Sequence, residues 1–334
     1  MKKISEEINL IFLISKGEKH SRFLVKIADE YKTVLLDNED GLEAGKTIFF
    51  QGIIENADDK WIKKYENYSK STKNIKKHMV DYKNKCLDLK DLPWGTWHGK
   101  RYNHILPLNK KELNMIHSCY YKDLFSYYYD LRSKHEIHPG FANLNSSQAF
   151  ALNFFVPIIK ENLFSKLLKI PEFELIKNTC FEKKLDETEG TQLDFYLETT
   201  TSSFTFEVKY SENAFGDAER NEEHLKKYYE TYKNKLDEVV GDLSEEEFFE
   251  EYQLWRNICF SNKDRYVYFV FPQFRDDLAK KVEDAKNKCK VNFKDNIKIL
   301  YVDDFVKEMM KSDNIKLREH YTEFYEKYLN IPTI

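Results

Sequence analysis

Between Thr191 and Tyr210 the chain reads Thr-Gln-Leu-Asp-Phe-Tyr-Leu-Glu-Thr-Thr-Thr-Ser-Ser-Phe-Thr-Phe-Glu-Val-Lys-Tyr, and this stretch constrains the fold most. Two β-forming runs flank a Thr/Ser turn, which predicts a hairpin. Side chains alternate between the two faces of a strand, so Phe204, Phe206 and Val208 share one face while Thr205, Glu207 and Lys209 share the other. In the first run Leu193, Phe195 and Leu197 alternate with Asp194 and Tyr196, a register that sets Asp194 beside Glu207 and Lys209. The apolar face demands a covering layer, and the charged face demands a cleft.

The surrounding texture supplies that layer. After His138-Pro139-Gly140 helical and strand patterns alternate, which predicts an α/β domain over residues 138–334. Ser146 or Ser147 caps a helix expected from Gln148 to Leu168, with Pro157 as a kink. Strands are expected at 173–181, 191–199, 203–210, Arg265–Phe271 and 297–302, and helices at 218–240, 244–259, 276–288 and from 303 onward. Residues 1–137 read as a separate N-terminal α+β region for DNA recognition or partner contact. Short alternating runs to about residue 55 predict a small β-rich part, and a lysine- and aromatic-rich stretch from 58 to 135 predicts helices.

Charge is polarised along the chain although the formal net charge is only −4. Nine lysines stand between Lys60 and Lys85 against Glu66 and Asp81, either a solvated helix face or a docking surface for a polyanion. Lys73, Lys76 and Lys77, with Lys100 and Arg101 in the basic-aromatic run around Trp97 and His104, are the candidate DNA contacts; aromatic packing with a basic rim is the competing account. Five isolated cysteines without zinc-ligand spacing fit reduced thiols, and the apolar run at 8–14 is too short to span a bilayer. A cytoplasmic protein without membrane insertion is expected.

The chemistry follows from Asp194, Glu207 and Lys209. A hard divalent cation prefers carboxylate oxygens, and Mg²⁺ takes only one or two of them while keeping several waters. A lysine beside that cation serves to orient or deprotonate a water and to neutralise negative charge developing on phosphorus. Asp194, twelve intervening residues and Glu207-Val208-Lys209 resemble the motif of the PD-(D/E)XK nuclease superfamily. The similarity extends over about 138–300 to Ser146-Ser147-Gln148 with Asn153, and to Gln253-Leu254-Trp255-Arg256-Asn257, which look like elements of bacterial restriction-endonuclease-like proteins.

That resemblance implies a restriction-endonuclease-like α/β/α core with a mixed central sheet, and Mg²⁺ held by Asp194 and Glu207. It implies hydrolysis of phosphodiester bonds in double-stranded DNA, as by a type II restriction enzyme, with a DNA repair or mobile-element nuclease as alternatives on the same fold. A restriction enzyme cutting both strands is most simply a homodimer. A methyltransferase encoded nearby is its implied partner. In that superfamily the first core helix often adds an acid to the metal site; Glu161 is the only carboxylate in this helix but lies late, so Gln148 is the alternative occupant. Gln253 and Arg256 are further auxiliary candidates, against the reading of Arg256 as a surface cation.

Other functions fit less well. A non-cleaving nucleic-acid-binding or assembly module remains the chief rival, although the intact acid-acid-lysine set argues against a decayed site. A glycosidase with paired carboxylates has no need of Lys209. Gly41-Leu42-Glu43-Ala44-Gly45-Lys46-Thr47 is one residue short of a Walker loop, and the histidines of His135-Glu136-Ile137-His138 stand three apart where a zinc-protease helix needs four.

Overall fold

The computed structural model describes residues 2–16, 20–28, 30–37, 47–87, 95–97, 100–170, 174–184, 192–212 and 214–331; the side chains of 2, 11–13, 15, 16, 60, 63–71, 73, 97 and 100 lie outside that description. The chain divides into two units, Met1–Lys73 and Asn74–Ile334. In the first, β1 (Lys2–Lys16), β2 (His20–Ile27), β3 (Glu30–Asp37) and β4 (Thr47–Asn56) close into an antiparallel barrel. Their inward positions supply a small core of Ile4, Ile8, Leu10, Phe23, Val25, Val34, Phe50 and Ile54. β3 and β4 close the barrel through the pairs Lys32–Asn56 and Thr33–Glu55. Most of the Walker-like segment, residues 41–46, lies outside the described residues.

Helix α1 (Asp59–Cys86) runs from the first unit into the second. There follow β5 (Gly95–Trp97), β6 (Lys100–Tyr102), α2 (Tyr121–Ser133), α3 (Ser147–Lys160), α4 (Phe164–Leu168), β7 (Ile176–Lys184), β8 (Gln192–Thr199) and β9 (Ser203–Val208). After these come α5 (Glu222–Lys227), α6 (Lys233–Val239), α7 (Glu245–Glu250), α8 (Tyr252–Ile258), β10 (Arg265–Phe271), α9 (Asp276–Lys288), α10 (Val291–Lys294), β11 (Ile297–Tyr301), α11 (Val302–Met309) and α12 (Ile315–Tyr328). The five strands order as β11-β10-β9-β8-β7: β7, β8 and β9 run antiparallel, while β10 is parallel to both β9 and β11. This is a mixed α/β architecture.

Alternation along the strands decides what covers each face. Phe195, Leu197, Phe204, Phe206 and Val208 lie in one buried cluster with Phe150, Phe154 and Phe155 of α3 and with Phe324 and Tyr328 of α12. Phe155 stacks on Phe195 with ring centroids 4.3 Å apart, and each such buried aromatic contributes about 1.5–3 kcal/mol. Val267, Phe269, Phe271 and Ile297 belong to a second cluster with Leu236, Phe248, Trp255 and Val282 from the helices α6 to α9. Helix α3 is buried from Gln148 to Ile158 because it is apolar nearly all round, and Ser146 caps it by accepting from Ala149 N.

Several boundaries differ from the sequence expectation. The helix expected to reach Leu168 stops at Lys160, where Asn162 takes a left-handed φ of 50° and α4 restarts after the turn. The strand expected at 173–181 is shifted to Ile176–Lys184, and the helix expected at 218–240 is broken into α5, a π-turn at Tyr228–Tyr232 and α6. Residues 74–137, grouped by composition with the N-terminal region, lie in the second unit, since Leu124, Tyr128 and Leu131 of α2 share the cluster of Phe141 and Phe150.

One polar residue ties this core together. Asn153 is fully buried in α3; its Oδ1 accepts from Ile116 N (2.8 Å) and its Nδ2 donates to Asn114 O (3.1 Å) and Tyr328 Oη (2.9 Å). Asn153→Ala strands these groups away from water and is expected to cost about 2–3 kcal/mol in urea unfolding. A loss below about 0.5 kcal/mol would show that the network is not a determinant of stability.

Candidate active site

The hairpin meets its expected register. Phe195 pairs with Phe206 and Tyr196 with Thr205, so Asp194 stands opposite Glu207 at the end of the sheet. Glu207 and Lys209 are both buried, and Lys209 Nζ lies 2.8 Å from Glu207 Oε1. The ammonium also donates to Gln253 Oε1 at 2.7 Å. Glu207 Oε2 accepts from Asn257 Nδ2 at 2.9 Å and lies 4.0 Å from the Arg256 guanidinium. Helix α8 therefore presents Gln253, Arg256 and Asn257 to the charged pair, spacings of three and four residues that share a helix face. Asp194 Oδ2 accepts from Val208 N at 2.6 Å.

The electrostatics follow from burial and pairing. Burial pushes the Asp194 carboxyl well above its ordinary range, and the charges of Glu207 and Glu182 push the same way against Lys209 and the Val208 N–H. Burial also opposes ionisation of Glu207, but Lys209 and Arg256, with hydrogen bonds from Lys209 and Asn257, outweigh it and leave the group below the usual carboxylate value. For Lys209 burial favours the neutral amine, yet Glu207, Glu212 and Asp194 push its pKa up to about 12. The ammonium keeps its proton.

Sequence reasoning missed Glu182. The pairs Phe181–Phe195 and Lys183–Leu193 set it opposite Asp194 on β7, so Glu182, Asp194 and Glu207 stand on three adjacent strands. Gln148 Nε2 holds Glu182 Oε1 at 2.6 Å while its Oε1 accepts from His138 N at 3.0 Å. Burial, outweighing the Gln148 hydrogen bond, together with the charge of Glu207 pushes the Glu182 carboxyl up to about 7. Its φ of 52° is left-handed, a conformation that costs a non-glycine residue about 1–3 kcal/mol and clusters at functional sites. Asn257, quoted within the Gln253–Asn257 stretch, was given no role of its own, since a neutral amide on a helix carries no charge pattern.

Gln253 and Arg256 thus contact the Glu207–Lys209 pair and Gln148 reaches Glu182, but Glu161 joins none of them. It accepts from Tyr120 Oη (2.8 Å) and Asn314 Nδ2 (3.3 Å) beyond the end of α3. Glu212 folds back to accept from Tyr210 N (2.8 Å) and Ser211 N (2.9 Å), closing the chain just past the end of β9. Arg275, buried in the loop after β10, pins the same segment by donating to Tyr210 O (2.8 Å) and Glu212 O, and is itself held by Asp277 (2.8 Å). Gly216 has a φ of 68°, and a Cβ there would stand 3.1 Å from Gln253 Cδ, so a side chain would displace the partner of Lys209. Of the candidate DNA contacts, Lys77 and Arg101 are exposed and Lys76 is partly buried; the side chains of Lys73 and Lys100 lie outside the described residues.

Fold and site together define a mixed α/β protein whose sheet carries Glu182, Asp194 and Glu207 on adjacent strands, with Glu207 buried against one lysine. The chain belongs to the family described as Restriction Endonuclease associating with ARP, whose model matches residues 62–329, and so to a restriction-endonuclease-like family. No curated protein and no solved structure matches the chain. Among the described residues no helix is long and apolar enough to cross a membrane.

Proposed function

We propose that this chain is a metal-dependent endonuclease of the PD-(D/E)XK type that hydrolyses phosphodiester bonds of double-stranded DNA, with a restriction role. The observation that carries the reading is the buried Glu207–Lys209 pair beside Asp194 at the sheet end. Burying charges is costly, and a structural role would be served as well by apolar residues of the same volume. The strand order, with α3 before three antiparallel strands and a parallel strand after intervening helices, supports a restriction-endonuclease-like α/β/α core.

The residues fit a hard cation. Asp194 and Glu207 offer oxygen donors, and Asn257 Oδ1 beside them is buried without a hydrogen-bond partner. Among the described residues no three His, Cys, Asp or Glu side chains are gathered to hold a metal ion. Two carboxylates with water filling the remaining positions is the usual arrangement for Mg²⁺. Such a cation supplies Lewis acidity at phosphoryl oxygen and lowers the pKa of a bound water. Asp194 and Glu207 would hold it. Lys209 then stabilises negative charge developing on the phosphoryl group as a protonated cation, aimed by Gln253.

The test is cleavage of a plasmid and phage DNA panel with Mg²⁺ by wild type and Asp194→Asn. Discrete fragments that vanish with EDTA, and a rate reduced roughly 10³-fold or more by the substitution, are expected. Cutting that survives Asp194→Asn would reject the site. A non-cleaving binding module is favoured by one observation, the engagement of Lys209 Nζ by both Glu207 and Gln253. DNA retention without cutting under any metal would select it. A homodimer, a nearby methyltransferase and, from the family description, a partner termed ARP are the proposed associates.

A further inference from the structure

Among the described residues two arginines are buried, Arg256 and Arg275, and only one of them has its donors answered. Arg275 donates to Tyr210 O, to Glu212 O and to both oxygens of Asp277. Arg256, on α8 and 8% exposed, donates no hydrogen bond to any described residue, and its Nε is sealed from solvent without a partner. A guanidinium carries five N–H donors in a rigid fork, and a buried cation is normally paired. Glu207 does not fill that role: its Oε1 takes Lys209 at 2.8 Å, its Oε2 takes Asn257 Nδ2 at 2.9 Å, and Arg256 Nη2 stands 4.0 Å from Oε2. At that separation the two charges attract without a hydrogen bond. The guanidinium also lies 5.9 Å from the ring centroid of Tyr252, one turn earlier on α8, whose Oη is hydrogen-bonded to Tyr232 Oη at 3.2 Å. The fork is held in place beside the carboxylate with its donors unspent.

We propose that Arg256 is a further catalytic residue, which binds the non-bridging oxygens of the scissile phosphodiester. The proposal rests on the nuclease reading above and names the group in that site that grips the substrate's phosphoryl charge. A phosphodiester supplies what the fork lacks, a negative charge and two non-bridging oxygens spaced for bidentate hydrogen bonding. Lys209 already donates to Glu207 and Gln253, whereas Arg256 has no hydrogen bond to give up. Its side chain keeps 10% of its surface open, the opening through which a phosphate oxygen reaches it.

The placement on α8 supports a role at the reacting phosphorus. Gln253 and Asn257, three residues before Arg256 and one after it, hydrogen-bond Lys209 and Glu207, so the same short helix fixes all three side chains against the charged pair. In hydrolysis a water oxygen bonds to phosphorus while the bond to the leaving ester oxygen breaks. The water passes a proton to solvent, the leaving oxygen takes one from it, and the non-bridging oxygens carry extra negative charge in between. Donors already set on those oxygens stabilise that state more than the ground state.

The experiment separates a phosphate contact from service to Glu207 by removing the charge of Glu207. Binding of a duplex of about 20 base pairs to the whole protein is measured in EDTA by fluorescence anisotropy over a salt series, with Glu207→Gln as the parent and Arg256→Met or Arg256→Lys added to it. Arg256→Met should weaken binding roughly eightfold at about 0.1 M salt and reduce the steepness of the log–log salt dependence by about 0.9, and Arg256→Lys should restore the salt dependence. With Glu207 intact, Arg256→Met should slow single-turnover cleavage in Mg²⁺ by roughly 10²–10³-fold, and Arg256→Lys, which keeps the charge but loses the fork, by less. Affinity and salt dependence unchanged by Arg256→Met in the Glu207→Gln parent overturn the phosphate contact while leaving the nuclease reading intact. Weakened binding with an unchanged cleavage rate overturns the catalytic role and leaves that reading standing. Weakened binding in a protein that cuts no DNA with any divalent cation overturns the nuclease reading and the catalytic role together, and absence of duplex binding by wild type and parent alike overturns the phosphate contact as well.

Discussion

Lys209→Met is expected to lower stability by about 3–5 kcal/mol and to abolish the proposed metal-dependent cleavage, although the new side chain matches the old in length and in its apolar stem. The cost does not come from a lost contact alone. Glu207 remains buried with its Oε1 unpaired, and Gln253 Oε1 loses its donor. Asn257 and Arg256 still face the other oxygen of Glu207, but Arg256 at 4.0 Å is too distant to replace an ammonium at 2.8 Å. Removing the charge as well as its partner separates the two effects. The double variant Glu207→Gln/Lys209→Met should recover most of the lost stability, since it leaves neither member of the pair buried as an unpaired ion, while remaining inactive. Urea unfolding of the four proteins in this cycle measures the coupling. A coupling below about 0.5 kcal/mol would mean that the pair is solvated and that the buried-site argument for catalysis has lost its basis.

The residues of this pair were legible because a period-two pattern leaves little freedom. Once Phe204, Phe206 and Val208 must be buried, Glu207 and Lys209 share the opposite face, and the structure pairs the hairpin in that register. The bounds of β10 and α9 were legible for similar reasons, a continuous apolar run in one and a Lys/Asp-rich amphipathic repeat in the other. Glu182 was hidden because its strand ends in Glu182-Lys183-Lys184, where no apolar alternation marks the chain as extended, and its left-handed φ departs from the strand pattern altogether. Asn257 and Arg275 act through hydrogen bonds formed only after distant segments meet. The division near residue 73 was equally opaque, because the amphipathic repeat of α1 runs through it without a break.

Lys327→Met should remove a rise in stability with pH that the wild type shows on the alkaline side of neutrality. Lys327 is 1% exposed and, among the described residues, has no carboxylate in hydrogen-bonding contact; its Nζ donates to Asn114 O and to Asn114 Oδ1 (2.9 Å), with the rings of Tyr328 and Tyr82 at 4.9 and 5.7 Å. Burial brings its pKa down to about 7 from 10.5, and the charge of Glu323 only partly opposes that shift. The unfolded chain therefore holds a proton that the folded chain gives up above pH 7, so the penalty of burying the ammonium is full below pH 7 and fades toward pH 10.5. Relative to the variant, wild type should gain about 4 kcal/mol between pH 6 and pH 10. Asp194, whose carboxyl is raised, pulls stability the other way as pH increases, and the cysteine and tyrosine side chains held up by burial affect the same range. Those contributions are common to both proteins and cancel in the difference. The opposing tendencies of His320, held down to about 4 by burial, and Glu182, pushed up to about 7, act mainly below this window. Parallel urea curves for wild type and Lys327→Met at pH 6 and pH 10 would show that Lys327 keeps its proton in the fold, and that Asn114 and the two tyrosines solvate it as well as water does.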